Sequence, residues 1–294
     1  MFGGSTRKLA LGLGGVGLAV CGVLAGARRA ARDVPLSPLH GDGYVGATWP
    51  ARRGLRGGRV SGEMDSLADY ARPGFDPDAV HPDVRALYER TDSFGMTVDA
   101  AWHRPYALGA RAASRWTSRI EQLNLPGPGD DPKRVSSDLF ALSDAAAAED
   151  PRDDPRLWVR TDDETGEAVF VAVYASYVDG GERFVDIAVP LPGANLSTVL
   201  RIEHDGAAGG VALTTNCPNG GLYLHTRAGA VRLPAAQRFR VRPASDPDAP
   251  FSDSGDFEGL GDGADVLAEQ RIALCGLPLV TVRYAAARAS ESGK

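Results

Sequence analysis

Apolar and polar residues alternate with the two-residue period of β-strands over the C-terminal half of the chain. The alternating runs begin near residue 156 and are separated by turns such as Asp-Gly-Gly at 179–181 and Asn-Gly at 219–220. These residue types supply the positive φ angles of tight hairpins, and short links join antiparallel neighbours. The pattern therefore predicts a large antiparallel β-meander. Its predicted strands are 156–161, 167–178, 182–191, 197–204, 210–215, 221–227, 236–242, 267–275 and 279–287.

One of these strands, 167–178, is apolar on both faces. Val169 and Val171 lie on one side of it, while Phe170 and Tyr174 lie on the other. A strand of this kind is typical of a sheet that is covered on both sides. We therefore expect a central strand with a second layer over it, in a sheet large enough to curl or to close.

Residues 62–150 show the spacing of helices instead. Val84, Leu87 and Tyr88 fall on one face of a helix that starts near Asp78, as in an amphipathic helix packed on a core. Two further helices are predicted at 105–123 and 135–147.

These patterns predict an α+β fold class. A helical segment at 62–150 and a β-rich region at 156–288 are expected to form a single globular domain, 62–290, with a curved or barrel-like antiparallel sheet. Residues 33–61 are rich in Gly, Pro and Arg and lack periodicity. They are typical of a linker or an extended arm.

The N-terminal stretch from Leu9 to Ala27 contains 19 residues without a charged or strongly polar side chain. Arg7 and Lys8 precede it, and arginines follow from Arg28 onward. A bilayer core needs about 20 apolar residues in a helix, with basic residues near its ends. We therefore expect residues 1–32 to be a single-pass anchor, an N-terminal transmembrane helix, rather than a cleaved signal peptide. The residues expected in the lipid are Leu9, Leu13, Val16, Val20 and Leu24.

The same stretch contains a G-x-G-x-x-G sequence at Gly12, Gly14 and Gly17. In dinucleotide-binding proteins this loop joins a strand to a helix, and a second strand then carries an acid to the ribose. Here Asp33 follows a run of arginines, and no apolar strand is available to hold it. The glycines are therefore expected to be membrane glycines, which allow close helix packing.

The net charge and the motifs outside the N-terminal stretch exclude several classes of protein. A net charge of −6 argues against a general nucleic-acid binder. Four arginines between residues 52 and 59 favour a globular domain on the cytoplasmic side. The three cysteines and five histidines lack the spacing of a metal site. The chain has neither a P-loop nor a nucleophile elbow, so no cofactor is predicted.

The richest cluster of chemistry-bearing residues is the block at 81–106. Its H-P-x-V-R segment starts at His81 and leads to Tyr-Glu-Arg-Thr at 88–91, and Trp102 follows. Later segments are Gln-Leu-x-Leu-Pro at 122–126, Pro-Leu-Pro-Gly-x-Asn at 190–195 and Gly-Leu-Tyr-Leu at 221–224. This order resembles a family of uncharacterised bacterial and archaeal proteins. The resemblance implies one continuous domain over most of 75–285 and brings no known activity, cofactor or catalytic residue.

Two interpretations of this block stay open. In the functional one, an arginine holds an anion, the histidine exchanges protons near neutral pH, and the aromatic residues form an apolar wall. In the structural one, the same side chains form ion pairs and fill the core between helices and sheet. The candidate ligand-binding residues are Trp102, His103, Arg104, Tyr106, Glu89 and Arg90.

Three functions fit this sequence. The first is a membrane-anchored, non-enzymatic protein that binds a lipid or a small apolar ligand in its β-rich domain. The second is an enzyme that acts on a small anionic or membrane-derived substrate through the 81–106 block. The third is a structural or interaction module that uses the acidic loop at 129–155. The first is favoured because a membrane tether occurs together with a long meander that contains the doubly apolar strand 167–178, and the expected partners are a membrane and a small ligand.

Overall fold

The computed structural model describes residues 25–109, 119–250 and 263–289. Strands make up 48% of the protein, and thirteen strands in the described ranges form one sheet with antiparallel pairings. Ten of them close into a barrel. The strands are β1 (Arg56–Arg59), β2 (Phe94–Trp102), β3 (Lys133–Leu142), β4 (Asp153–Asp162), β5 (Ala168–Asp179), β6 (Glu182–Leu191), β7 (Ala194–Asp205), β8 (Gly210–Thr214), β9 (Gly221–Thr226), β10 (Gly229–Arg232), β11 (Ala235–Pro243), β12 (Val266–Leu274) and β13 (Leu277–Arg288).

The helices of the described residues are short. The predicted helix near residue 80 begins at Pro82, where the imidazole of His81 accepts a hydrogen bond from the backbone N–H of Asp83. Its buried face carries Leu87 and Tyr88, as the helical spacing predicted. The α-helices are α1 (Trp49–Arg52), α2 (Pro82–Glu89) and α3 (Asp144–Ala147), and the 3-10 helices are Leu67–Tyr70, Pro77–Ala79 and Thr91–Ser93. Further helical residues lie at 25–30, 107–109 and 119–120, and the middle of the helix predicted at 105–123 lies outside the described residues.

Strand β7 closes the barrel by pairing with two strands along one edge. Its C-terminal half pairs with β8, with Arg201 opposite Thr214. Its N-terminal half pairs with β9, with Ala194 opposite Thr226. The barrel ring therefore runs β7-β6-β5-β4-β3-β2-β13-β12-β11-β8 and returns to β7, while β9 and β10 extend the sheet beside it. Closure removes the unpaired edges that an open sheet would leave.

The hairpin between β5 and β6 follows the sequence prediction closely. Asp179 pairs with Glu182 across a two-residue turn. Gly180 and Gly181 have φ angles of 58° and 82°. A tight hairpin of this length needs positive φ at both central residues, which glycine adopts without strain. The predicted strand 182–191 has the same bounds in the structure.

The predicted α+β class is wrong, because the protein is mostly β and its barrel draws strands from the region predicted to be helical. β2 and β3 both lie within 62–150. In the predicted helix 135–147, the first part is strand β3 and only the end is helix α3. Val135 and Leu139 face the barrel core, while Phe140 packs in the outer layer. A strand buried on both faces loses its simple alternation, and its apolar residues then fall at helix-like spacings.

The predicted membrane anchor falls almost wholly outside the described residues. Its lipid-facing candidates Leu9, Leu13, Val16, Val20 and Leu24 all lie there. Within 25–109, 119–250 and 263–289, no helix has both the length and the apolar character needed to cross a bilayer. The boundaries predicted for the globular domain, at 62 and 290, stay predictions.

The segment from residue 31 to residue 55 lies on the outside of the barrel, and we call it the arm. Val45 and Trp49 of the arm have no exposed surface and pack against the outer faces of β3 to β6. The side chain of Asn195 donates hydrogen bonds of 2.6 and 3.2 Å to the backbone oxygens of Ser37 and Leu39. The arm is the second layer that was predicted over the doubly apolar strand β5.

Each end of the barrel is covered by a different part of the chain. At one end, α2 and the 3-10 helices at residues 67–93 contribute buried side chains to the barrel core. At the other end lie residues 119–126, where Gln122 is fully buried. Its side-chain amide donates to the backbone oxygens of Val171 and Pro190 and accepts from the N–H of Val171. Both segments therefore contribute side chains to the lining of the barrel interior.

Candidate functional site

The barrel interior contains a cavity of about 150 Å³. Its lining comes from the inward faces of the strands and from both covering segments. Inward residues such as Ile187, Phe239 and Ile272 are only partly buried, although they pack against the main core. Their remaining surface faces the cavity, because all three line it. The interior is therefore not completely filled by side chains.

Aromatic rings form much of the cavity wall. The ring of Trp158 meets those of Tyr174 and Phe170 edge to face, with centroid distances of 5.0 and 6.3 Å. Phe239 meets Tyr284 in the same way at 5.6 Å. Such pairs are rigid and mutually favourable. They give the cavity a fixed, mainly apolar shape that suits a ring or a short hydrocarbon group.

Arg160 places a positive charge against this apolar wall. It lies on β4 directly after Val159, which faces outward, and it is 9% exposed. Its guanidinium carbon lies 3.9 Å from the centroid of the Trp158 ring and 5.1 Å from that of Tyr284. Nη2 donates to the sulfur of Met96 at 3.3 Å, whereas Nε has no hydrogen-bond partner among the described residues. Arg160 is therefore held by aromatic faces and a sulfur atom rather than by a carboxylate.

Glu63 is the acidic residue of the cavity wall. Burial raises the pKa of its carboxyl to about 8, while the positive charge of Arg160 opposes this rise. Burial acts in this direction because it disfavours the charged form. In the described part of the chain, the Glu63 carboxyl forms neither a hydrogen bond nor an ion pair, and it lies more than 4.0 Å from the Arg160 nitrogens. At neutral pH this carboxyl is mainly protonated.

Two more buried donors border the same cavity. Among the described residues, Tyr88 Oη and Trp158 Nε1 have no hydrogen-bond partner. Burial and the nearby Glu63 raise the pKa of Tyr88 well above its ordinary value, so its hydroxyl stays protonated. Tyr284, by contrast, donates to Oε1 of Gln270 at 3.0 Å. Buried polar groups are nearly always satisfied in native proteins, and unsatisfied ones call for an explanation.

A crevice of about 330 Å³ lies next to the cavity and shares Glu63 and Tyr174 with it. These two side chains therefore lie at the boundary between the cavity and the crevice. Arg156 beside the crevice is bonded to Asp65 at 2.7 Å and also to Asp154. The crevice is lined mainly by acidic and polar residues, in contrast to the cavity.

The structure does not bring the six candidate residues from the sequence together. Glu89 and Arg90 follow α2 at one end of the barrel, while the other candidates lie at and after the end of β2. β2 runs from Phe94 to Trp102, which spans roughly 26 Å at the usual rise of a strand. The candidates form two separate groups, Glu89 with Arg90 and Trp102 with His103, Arg104 and Tyr106.

The contacts of these candidates hold loops in place. Trp102 Nε1 donates to the backbone oxygen of Pro126 at 2.9 Å, and Tyr106 Oη donates to that of Leu274 at 3.0 Å. His103 Nε2 lies 2.9 Å from the hydroxyl of Thr281. Glu89 accepts from the backbone N–H of Leu67 at 2.9 Å. Arg104 is exposed.

Sequence reasoning missed the polar residues that line the cavity. Arg160 carries a readable signal, because it alternates with Leu157 and Val159 on a strand whose other face is also buried. Since neighbouring residues of a strand face opposite sides, Arg160 faces the barrel interior while Val159 faces outward. Glu63 lies outside the strands and helices, between Gly62 and Met64, and no periodicity in the sequence marks it.

Comparison with known proteins gives one distant relative. No family model and no solved structure matches this chain. The chain is 29% identical over 196 residues to the uncharacterised membrane protein YndJ of Bacillus subtilis (strain 168). The match covers 64% of this chain and 34% of YndJ, so the chain spans about a third of that relative. A distant homologue is thus an uncharacterised membrane protein. That the segment at 81–91 marks a family stays a prediction.

Proposed function

We propose that this protein binds a small, largely apolar ligand inside its barrel and that it does so at a membrane. The observation that carries the proposal is the aromatic cavity of about 150 Å³ in a closed barrel. Pockets for drug-sized ligands have volumes of about 300 to 1,000 Å³, whereas a cavity near 150 Å³ accepts a single ring. The ligand is therefore of the size of one substituted ring or a short chain, or it inserts only such a part.

Two observations support the membrane part of the proposal. The relative YndJ is named a membrane protein. The stretch from Leu9 to Ala27 in this chain is free of charged residues and flanked by basic ones. An apolar ligand also partitions into lipid, so a binding protein at the membrane meets it at high local concentration.

A cavity-filling variant tests the ligand site. Ala268 lines the cavity and is 2% exposed, so Ala268→Leu adds apolar volume where the ligand is proposed to lie. We expect calorimetry on the full-length chain to show binding of toluene or indole, and Ala268→Leu to weaken it about 10-fold or more. Ala207→Leu in the exposed β7–β8 turn is the matched control and should bind as the wild type does. Absence of binding by the wild type, or equal binding by both variants, would contradict the proposal.

A further inference from the structure

We infer that the ligand of this cavity carries an anionic group, of carboxylate type, which lies against Arg160 while the apolar part of the ligand fills the space between the aromatic rings. This inference rests on the proposed function and specifies its ligand class. It starts from three observations: a buried arginine without a carboxylate partner, unsatisfied donors around the same space, and the charge of the cavity wall.

The first observation concerns the missing counter-ion. Buried arginines in proteins are nearly always paired with a carboxylate. The other buried arginines of β4 and its neighbourhood follow this rule, since Arg152 is paired with Asp150 and Asp186, and Arg156 with Asp65. Arg160 differs from them, because in the described ranges no carboxylate oxygen lies within 4.0 Å of it. A ligand anion would supply the missing partner.

The second observation concerns the direction of the hydrogen bonds. Arg160 Nε, Tyr88 Oη and Trp158 Nε1 are unsatisfied within the described residues, and their side chains all line the cavity. The arginine and tryptophan nitrogens only donate, and the tyrosine hydroxyl donates readily. A carboxylate only accepts, so it complements these groups better than an alcohol or an amine does.

The third observation concerns charge. Glu63 and Arg160 are the ionisable acid and base of the cavity wall, together with tyrosines. Burial raises the pKa of Glu63 to about 8, so at neutral pH its carboxyl is mainly neutral and the wall carries the charge of Arg160. A neutral Glu63 can also donate a hydrogen bond to a ligand oxygen. The ionisable groups around Glu63 are Arg160, Tyr88, Tyr174 and Tyr284 from the cavity side and Asp65, Asp69, Tyr70, Asp153, Asp154, Arg156 and Arg183 from the crevice side.

The acidic crevice raises the opposite alternative, a cationic ligand. Its carboxylates, however, lie on the far side of Glu63 and Tyr174 and do not line the cavity. Two of them, Asp65 and Asp154, already bind Arg156. We therefore expect the positive charge of Arg160 to determine the charge of the ligand. The experiment includes a cationic ligand, so preference for a cation would be detected.

Three planar ligands of matched size provide the test: benzoate, neutral benzamide and cationic benzamidinium. Calorimetry on the full-length chain at neutral pH should show benzoate binding about 10-fold or more tighter than benzamide, and benzamidinium weakest. If benzamide or benzamidinium binds as tightly as benzoate, the inference fails while the proposed function stands. If none of the three binds although toluene or indole does, the inference fails and the proposed function stands. If toluene and indole do not bind either, both fail.

Variants assign the effect to Arg160. Arg160→Met keeps an unbranched apolar stem and removes the charge, so benzoate should bind no more tightly than benzamide, and benzamide affinity should be unchanged. Arg238→Met changes an arginine on β11 that is about half exposed and pairs with Asp205, and it should leave both affinities unchanged. An Arg160→Met protein that still prefers benzoate would overturn the inference.

A second variant keeps the test decisive if Arg160→Met does not fold. In the wild type, benzoate affinity should fall as the pH rises through about 8, because ionised Glu63 repels the anion and competes for Arg160. Glu63→Gln cannot ionise and should bind benzoate with little change over the same range. Equal pH profiles for the two proteins, with no benzoate preference in either, would overturn the inference.

Discussion

At the scale of residues, the unusual feature is that two ionisable side chains, Glu63 and Arg160, line a cavity that is otherwise mainly apolar. An unpaired ion buried in a protein loses several kcal/mol of solvation free energy, whereas a cation over a desolvated aromatic ring regains about 2 kcal/mol. The contacts of Arg160 with the rings of Trp158 and Tyr284 therefore offset only part of the loss. A buried Arg160 without a counter-ion therefore destabilises the barrel. The proposed carboxylate ligand would relieve this destabilisation by accepting hydrogen bonds from the guanidinium.

The pH dependence of folding follows from Glu63. Burial raises the pKa of its carboxyl from 4.5 to about 8. Between these values the unfolded chain releases a proton that the folded chain keeps, so the unfolding free energy of the wild type should fall as the pH rises. Its contribution is fully present below pH 4.5 and lost by about pH 8.

Glu63→Gln removes this titration, so its stability advantage over the wild type should grow by a few kcal/mol across the same range. Urea unfolding of both proteins at about pH 5 and about pH 8 measures the effect. A constant difference between wild type and variant would show that Glu63 titrates normally.

At the scale of elements, β4 joins the two layers of the molecule. Leu157 and Val159 pack under the arm, while Trp158 and Arg160 line the cavity. A shift of this strand by one residue would exchange the two sets. The arm that covers β4 is fixed by several hydrogen bonds, among them the buried one from the Asn195 side chain to the backbone oxygen of Ser37.

Asn195→Ala should loosen the arm. The substitution removes the donor of the Leu39 backbone oxygen and leaves that of Ser37 with the His225 ring alone, and a lost buried hydrogen bond costs about 1 to 3 kcal/mol. We expect faster tryptic cleavage after Arg52 and Arg53, followed by mass spectrometry, and a lower unfolding free energy. Asn216→Ala, at an exposed position, is the control and should be cleaved at the wild-type rate. Equal cleavage of the two variants would show that other contacts hold the arm.

The sequence predicted the hairpin strands well and the rest of the barrel poorly. The sequence predicts β6 with the bounds that it has in the structure, because its polar and apolar residues alternate between two glycine turns. β3 was missed because the arm covers its outer face and hides the alternation. The cavity residues were missed for a similar reason. Trp158, Tyr174 and Tyr284 come from three strands, and their meeting depends on the closure of the barrel rather than on any local pattern.

At the scale of the whole molecule, the closed barrel and the apolar N-terminal stretch are separate features that the proposed function combines. The barrel provides the ligand cavity. In the proposed function, the apolar stretch from Leu9 to Ala27 is the part expected to contact a membrane. A protein of this design would take a ligand from the lipid and shield it from water.

Fractionation of cells that express the full-length chain tests the membrane part. The protein should sediment with membranes and resist a high-salt wash, because apolar attachment is insensitive to salt. The double variant Leu13→Asp and Val16→Asp should move to the supernatant, whereas Gly3→Asp with Gly4→Asp, outside the apolar stretch, should not. Recovery of the wild type in the supernatant would contradict membrane association.

The pairing of β2 with β13 means that the barrel closes only when the C-terminal strand is available. Phe94 lies opposite Arg288, and all strands from β3 to β12 lie between them in the sequence. During synthesis β2 emerges early and keeps an open edge until β13 has left the ribosome. Pairings between distant residues form slowly, and an open edge invites pairing with other chains. The arrival of the β12–β13 hairpin therefore ends the period in which the nascent sheet is exposed to aggregation.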